Sequence, residues 1–408
     1  MVVNRFRRVV TGRSLGAAVG CTIVCAMPVF LVGSMAVQIE DSLHFGPGSL
    51  GLVVAGYYLG AAVASLPLAR LVEAIGALRT MRIACATSAV LLAVIATKST
   101  SWLVLLVLLV PCGVSSAAVQ PAANVLLARR VPSEVQGLAF GIKQAAVPTA
   151  TSLAGLAVPA VALTAGWRWG FGMAAVAAAA MALACPRPTT TLAERQKTRV
   201  PVQVPPGDYR PLLILTVGFA IGVASASALA AFVVSSAVSL HISRAVAGLL
   251  AGAGGAAAAA SRVAAGIRAD RRGRAHLRAV ALMVTVGSCG YALLGVAALT
   301  GVVALFPVAV VITFVAGWGW NGLFNFAIVR NHISYAARAT AITQTGGRIA
   351  GMVGPFLFGL GVEHGSYSLA WLVTAGLALA SAGTMVFGRR LLAKRNGREG
   401  SPALLSAQ

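Results

Sequence analysis

The sequence predicts an all-α membrane protein that crosses the bilayer twelve times. Hydrophobic residues make up 58% of its 408 residues and charged residues only 10%, whereas a soluble domain has about 25% charged residues. The charges fall in short clusters between long apolar runs, unlike the polar, aromatic-rich face on which a nucleic-acid-binding protein carries its basic residues. The composition therefore excludes a soluble enzyme, a disordered tail and a DNA-binding domain, and we expect no nucleic-acid partner.

Twelve segments are long enough and apolar enough to cross the hydrocarbon core of a bilayer, which takes about 20 residues. Several are rich in Gly and Ala, a composition that lets helices pack closely in lipid. The weakly apolar run 251–260 is assigned to a span because of its flanking residues and its place in the series. The predicted spans are 15–38, 50–72, 80–97, 102–127, 137–163, 168–186, 211–236, 246–267, 277–299, 302–328, 340–361 and 367–388.

The basic residues predict how the spans are oriented. When basic residues in the end turns of spans are counted with the adjoining face, 26 of the 32 Lys and Arg residues lie on the same side as the N-terminus, three lie on the opposite side and three lie deep within spans. Cytoplasmic segments of membrane proteins carry an excess of Lys and Arg. We therefore expect both termini in the cytoplasm, the chain in a bacterial-type plasma (inner) membrane, and anionic lipid headgroups beside the basic loops.

A polar stretch rich in proline, residues 187–210, divides the spans into two groups of six. Its composition is typical of a flexible linker. We therefore predict an N-terminal six-helix bundle at 1–186, a cytoplasmic linker at 187–210, and a C-terminal six-helix bundle with a cytoplasmic tail at 211–408.

The two groups of spans repeat each other. Acidic and glycine residues that follow the second span recur after the eighth at an offset of 197 residues, and paired amides of the fourth span recur in the tenth at an offset of 201 residues. Parallel six-span repeats are a transporter architecture, in which the substrate is held between the halves near the middle of the bilayer.

The loop after the eighth span carries a motif. Residues 266–274 match Gly-x-x-x-Asp-Arg-x-Gly-Arg, and residues 69–77 form a degenerate copy of it. This motif is the signature loop of the major facilitator superfamily, which the chain resembles over nearly its whole length. The resemblance implies that the acidic residue holds the opposite half when the inner gate is shut. The alternative is that the basic residues of the loop serve only to orient the chain in the membrane. The gating residues expected are Glu73, Gly76, Gly266, Asp270, Arg271, Gly273 and Arg274.

Within the superfamily, residues 120–124, 137–148 and 317–325 resemble the cyanate-permease-like branch of bacterial transporters. Two features of other members are missing from the sequence. Leu109 stands in the fourth span where many proton-coupled members carry Arg, and the fifth span has no Gly-Pro pair of the kind that drug antiporters usually carry. These departures argue against a typical drug/proton antiporter.

Three basic residues lie more than one helical turn inside the predicted spans, and none of the nine acidic residues falls within them. A charge at mid-membrane costs roughly 2.5–3.5 kcal/mol, so Lys143, Arg262 and Arg348 need water, backbone carbonyls or an anion. Arg262 lies near the inner end of its span, which favours extension of its side chain to the cytoplasmic surface. Lys143 and Arg348 lie deeper, which favours contact with an anionic substrate. A strained extension to the surface is the alternative for Lys143, and a structural role for Arg348.

The paired amides are the second group of candidates. The members of each pair lie four residues apart and share a helix face, as Gln344 does with Arg348. The resemblance implies that the fourth span of each half lines a central cavity, where the amides would bind substrate. Hydrogen bonding between helices is the alternative. Trp318 is a candidate cavity wall, with plain packing as the alternative. The expected substrate-binding residues are Lys143, Arg348, Gln120, Asn124, Asn321, Asn325, Gln344 and Trp318.

The sequence therefore predicts a monomeric transporter that moves a small solute, an organic or inorganic anion, by alternating access. Efflux of a drug or secondary metabolite, and a transporter-shaped receptor that does not translocate, stay open as alternatives. We expect no enzymatic activity, metal or cofactor, because no nucleophile–base set or metal-ligand cluster is visible. A proton is the candidate coupling ion, and it would need Glu40, Asp41, a carboxylate of the substrate, or a histidine near a gate.

Overall fold

The computed structural model describes residues 12–132, 135–186, 209–272, 277–332 and 336–399. Every regular segment in these ranges is helical, which confirms the all-α class. Nearly all of the predicted linker falls outside the described residues, so the division into two bundles at 187–210 stays a prediction.

The helices before the linker form the first six spans. Their bounds are α1 Arg13–Ser34, α2 Ala36–Leu43, α3 Pro47–Ile75, α4 Ala77–Lys98, α5 Trp102–Arg130, α6 Gln136–Ala157 and α7 Trp167–Ala184. The first membrane-spanning helix is α1. Met35, whose backbone (φ −100°, ψ 19°) interrupts the helix, separates it from the short α2, which ends beyond the membrane-spanning segment. A π-helical turn, Val158–Ala162, extends α6.

The helices after the linker form the other six spans. Their bounds are α8 Arg210–Ser239, α9 Arg244–Arg272, α10 Leu277–Thr300, α11 Leu305–Ile312, α12 Asn321–Asn331, α13 Ala336–Glu363 and α14 Tyr367–Glu399. A π-helical turn, Thr313–Trp318, separates α11 from α12 within the tenth span. Such wide turns inside helices are frequent at functional sites.

Eleven segments of the described residues are long and apolar enough to cross a membrane. The remaining long helix is α13, whose 28 residues extend about 42 Å at 1.5 Å per residue. Thr343, Gln344 and Arg348 make α13 less apolar than its neighbours. Because α13 packs along both α3 and α8, we count it as the twelfth transmembrane helix, in agreement with the predicted fold class.

The helices α6 and α9 approach each other backbone to backbone. A Cβ atom on Gly155 would lie 2.6 Å from the carbonyl oxygen of Gly248, and one on Gly255 would lie 2.6 Å from the backbone nitrogen of Ser152. Small residues permit such close packing in a membrane. The contact brings the helices that carry Lys143 and Arg262 directly together.

Successive spans run in opposite directions, so the turns near residues 44–46, 99–101, 163–166, 240–243, 301–304 and 364–366 share one face, here called the distal face. The opposite face, toward which the described termini point, is called the proximal face. At the distal face a Cβ atom on Gly33 of α1 would lie 3.0 Å from the Cα atom of Ala231 on α8. Asp41 of α2 forms an ion pair of 2.7 Å with Arg244 of α9. The first and last six spans are therefore closed against each other at this face.

Candidate substrate-binding site

Lys143 lies in the middle of the helix bundle. Its side chain extends from α6, is only 1% exposed, and donates a hydrogen bond from Nζ to Oε1 of Gln120 on α5. The sequence predicted both residues as substrate ligands, and the structure brings them into direct contact. Asn124 lies one turn further along α5 and is half-buried. Lys143 is therefore paired with a neutral amide rather than with a carboxylate.

Arg262 does not extend to the surface, so the sequence interpretation that favoured this was wrong. Its side chain is 3% exposed, and its guanidinium donates from Nη1 to the carbonyl oxygen of Gln144 (2.8 Å) and from Nη2 to that of Trp318 (3.0 Å). The charge also lies 5.4 Å from the centre of the Trp318 ring, within the range of a cation–π interaction. Arg262 thus ties α9 to α6 and to the π-helical turn before α12.

The two carbonyl groups that hold Arg262 are available for a local reason. In a regular helix the carbonyl of Gln144 would accept from the backbone N–H of residue 148, but Pro148 has no N–H. The carbonyl of Trp318 ends the π-helical turn, where α12 has not yet begun. The sequence signal that would have revealed this site is therefore Pro148, four residues after Gln144, on the helix that packs against Arg262.

Arg348 connects α13 to α3. It is half-buried, and its Nη1 donates a hydrogen bond of 3.1 Å to the carbonyl oxygen of Ala61. Its charge and that of Arg262 both repel the charge of Lys143, so the three cations share one electrostatic environment. Among the side chains that the structure describes, no carboxylate forms an ion pair with any of the three.

The amides of the last six spans form a chain of hydrogen bonds. Gln344 of α13 donates from Nε2 to Oδ1 of Asn325 (2.8 Å), and Asn325 donates from Nδ2 to Oδ1 of Asn321 (3.1 Å), both on α12. This network is adjacent to the cations, because a Cβ atom on Gly322 would lie 3.5 Å from the Cβ atom of Gln144 and 3.9 Å from the Cγ atom of Arg262. All three amide side chains are half-buried.

The Trp318 side chain is packed in the protein interior and does not line a broad opening. It is 6% exposed, and its ring centroid lies 5.6 Å from those of both Phe30 and Phe314. Together with its contacts to Arg262, this packing makes Trp318 a support for the cation.

The predicted gating residues that the structure describes lie at the proximal ends of α3 and α9. Gly76 joins α3 to α4 in the left-handed region, with φ 87°, a conformation that glycine adopts without strain. Gly266 lies on α9 close to Gly141 of α6. Only the backbone is described for Glu73, Asp270 and Arg271, and the predicted gating residues Gly273 and Arg274 lie outside the described residues.

A family model described as the Major Facilitator Superfamily matches residues 18–355. The chain belongs to this superfamily. The resemblance carried by the signature loop is thereby confirmed at the level of the superfamily, while the cyanate-permease-like branch stays a prediction. Superfamily membership makes the chain a multi-pass membrane transporter of a small molecule rather than an enzyme.

Solved structures of transporters share the superfamily fold with this chain. A bacterial homologue of the human lysosomal transporter Spinster, in an inward-facing and unoccupied conformation, aligns with a TM-score of 0.67 at 15% identity over 93% of this chain and 95% of that one. A variant of the nucleoside transporter NupG aligns with a TM-score of 0.70 at 14% identity over 91% of this chain and 99% of that one. The comparison with curated proteins gave no match.

Proposed function

We propose that the chain is a monomeric inner-membrane transporter that moves a small organic or inorganic anion by alternating access. One observation carries the substrate class. Lys143, Arg262 and Arg348 lie together among the spans, and no described carboxylate is paired with any of them. Since a charge within a membrane is expensive unless it is compensated, a cluster of this kind favours an anion and disfavours a cation.

The three cations differ in how much binding capacity they have left. Arg262 is held by two carbonyl groups and a ring, so we assign it a structural role. An ammonium group has three N–H donors, and Gln120 accepts from one donor of Lys143. Arg348 is the most accessible of the three. We therefore assign the first contact with the anion to Arg348 and neutralisation of its charge to Lys143, with Asn325 and its amide neighbours orienting the substrate.

The basic residues support a cytoplasmic position for the proximal face and both termini. Gln120 and Asn124 lie toward the proximal end of α5 and are half-buried, whereas the distal face is closed by the ion pair of Asp41 and Arg244. We infer that the structure is closed toward the outside, as an inward-facing state of the transport cycle would be.

Thermal unfolding of the purified protein in detergent tests the substrate class. The ligands are small anions, their neutral analogues and hydrophobic drugs. A ligand at 100 times its Kd stabilises the folded state by about 2.7 kcal/mol. We expect one class of anion to stabilise the protein, and we expect this effect to be lost in Lys143→Ala and Arg348→Ala.

Matched controls are Lys98→Ala and Arg278→Ala, which remove the same charges from exposed positions and should keep the anion effect. Stabilisation by drugs or neutral analogues alone, unchanged in the central variants, would reject the anion and favour efflux of hydrophobic compounds.

A further inference from the structure

The short helix α2 is placed between the two groups of spans at the distal face. It buries Val37 and Ile39 and packs on α1 and α8. Arg168 of α7 holds it from one side, donating to Oγ of Ser42 (3.4 Å) and to the carbonyl oxygen of Ser99 (2.8 Å). Asp41 holds it to α9 from the other side. Opening the distal face therefore requires α2 to separate from α8 and α9.

Glu40 lies on this helix, outside the membrane-spanning segments, and its carboxyl group has an unusual environment. The Oε1 atom is inaccessible to solvent and has no hydrogen-bond partner among the described residues. The neighbouring Asp41 already uses its charge to pair with Arg244. Glu40 as a whole is half-buried, but a negative charge shared with a buried oxygen that has no partner costs more free energy than a neutral carboxyl group, so the closed distal face disfavours ionised Glu40.

We propose that Glu40 is a proton-binding latch, meaning a side chain whose protonation state controls whether the distal face is closed. Protonated Glu40 permits the closed distal face, and loss of its proton drives α2 away from α8 into contact with water. This inference rests on the alternating access proposed above, but it does not depend on which substrate is carried.

The charged and titratable groups around α2 fit this role. Asp41 on the same helix raises the cost of a second negative charge, and Tyr367 at the start of α14 interacts with Glu40 without supplying a positive charge. The two cations that contact α2 are engaged elsewhere, Arg244 with Asp41 and Arg168 with Ser42 and Ser99. His44, the remaining titratable side chain on this helix, is exposed at its C-cap. No described Lys or Arg is therefore left to stabilise ionised Glu40.

Burial, and secondarily the charge of Asp41, raise the pKa of Glu40 to about 8 in the closed state. In an open, hydrated state the pKa would return to roughly 4.3. Because the closed state binds the proton more tightly, it is favoured at low pH and loses this advantage as the pH rises from about 4.3 toward about 8. Within that window the ratio of open to closed molecules should rise by up to about tenfold per pH unit.

The experiment measures the distance across the distal face in the full chain reconstituted in lipid. Spin labels are attached at Thr100→Cys and Val303→Cys, which are exposed positions in turns of the two groups of spans. Cys289, the exposed cysteine among the described residues, is replaced by Ser, while the buried cysteines are kept. Distance distributions are recorded between pH 5 and pH 9 without substrate, a range chosen to bracket about 8.

We expect the long distance to gain population as the pH rises. Glu40→Gln, which mimics the protonated carboxyl group, should stay closed at every pH, and Glu40→Asp should keep a pH-dependent transition. Asp41→Asn removes the neighbouring charge but not the latch, so its transition should persist and move to lower pH.

A distance distribution of the unsubstituted gate that does not change with pH would overturn the latch, as would an unchanged transition in Glu40→Gln. Loss of the transition in Asp41→Asn alone would assign the pH response to the ion pair instead. If added anion moves the distances while pH does not, alternating access stands and the latch fails. If pH moves them as expected while no anion binds, the latch stands and the anion proposal fails.

Discussion

Arg262 fills a position that requires several fixed donors. Its guanidinium spans carbonyl groups on two helices that belong to different groups of spans, a geometry that the planar fork of Arg matches and the single ammonium group of Lys does not. The side chain therefore joins the two groups of spans beside the candidate binding site. Its role explains how a buried charge is tolerated without a carboxylate.

Removing the Arg262 side chain should destabilise the protein. Arg262→Ala leaves the carbonyl groups of Gln144 and Trp318 without their partner, and each unpaired buried polar group costs about 1–3 kcal/mol. We expect the free energy of unfolding in detergent to fall by about 2 kcal/mol or more. Arg278→Ala, an exposed change of the same kind, should leave it unchanged. Equal stability of the two variants would contradict the assignment.

Gln120 can act as a ligand of the substrate or as a competitor for Lys143. Its bond to Nζ favours competition, because an anion must displace this bond to reach the ammonium group. A hydrogen bond to a charged group contributes about 1.5–3 kcal/mol, so Gln120→Ala should tighten anion binding, by roughly tenfold. Calorimetric titration with the anion identified by the thermal-unfolding experiment measures the change in affinity. Weaker binding in the variant would make Gln120 a direct ligand.

At the scale of single helices, the apolar runs predicted where the spans lie, because length and hydrophobicity largely decide which segments cross a bilayer. For the less apolar α13, packing along α3 and α8 supports the assignment. The interruptions within spans were not predicted. Met35 breaks the first span, and the π-helical turns at 158–162 and 313–318 widen the end of the fifth span and the middle of the tenth. These turns keep the apolar composition of a regular helix, so hydrophobicity does not reveal them.

The contact between α6 and α9 should be intolerant of any side chain. Gly155→Ala places a methyl group 2.6 Å from the carbonyl oxygen of Gly248, so the two helices must separate. We expect a lower unfolding temperature and a weaker anion effect, since Lys143 and Arg262 lie on these helices. Gly376→Ala on α14, where an added Cβ meets nothing within 4 Å, is the control. A neutral result at Gly155 would show that the interface is looser than the structure indicates.

The components of the candidate site were also partly visible in the sequence. The spacing of the amides and the lack of acidic residues in the spans made Gln120, Lys143 and Asn325 candidates. The structure joins Gln120 to Lys143 and Asn325 to its amide neighbours, and their role in substrate binding stays a prediction. The direction of Arg262 was not predictable, because a position near a span's end is compatible with the surface or with the interior. Only the packing of α9 against α6 decides between them.

At the scale of the whole molecule, the excess of basic residues predicts which face is cytoplasmic. In intact cells, a membrane-impermeant thiol reagent should label Val303→Cys at the distal face. It should reach Lys394→Cys, near the proximal end of α14, only after the cells are permeabilised. Both positions are exposed, and both variants carry Cys289→Ser. The reverse pattern would invert the topology and make the described conformation closed toward the cytoplasm.

Anion uptake into proteoliposomes tests the central claim most directly. The labelled anion is the one that stabilises the protein in the thermal-unfolding experiment. Its uptake is measured for the unsubstituted chain, for the central variants Lys143→Ala and Arg348→Ala, and for the exposed controls Lys98→Ala and Arg278→Ala. We predict saturable uptake that neutral analogues do not inhibit, that both central substitutions abolish, and that both exposed substitutions preserve. Uptake that is indifferent to the central substitutions, or that neutral analogues inhibit equally well, would contradict an anion site built on Lys143 and Arg348.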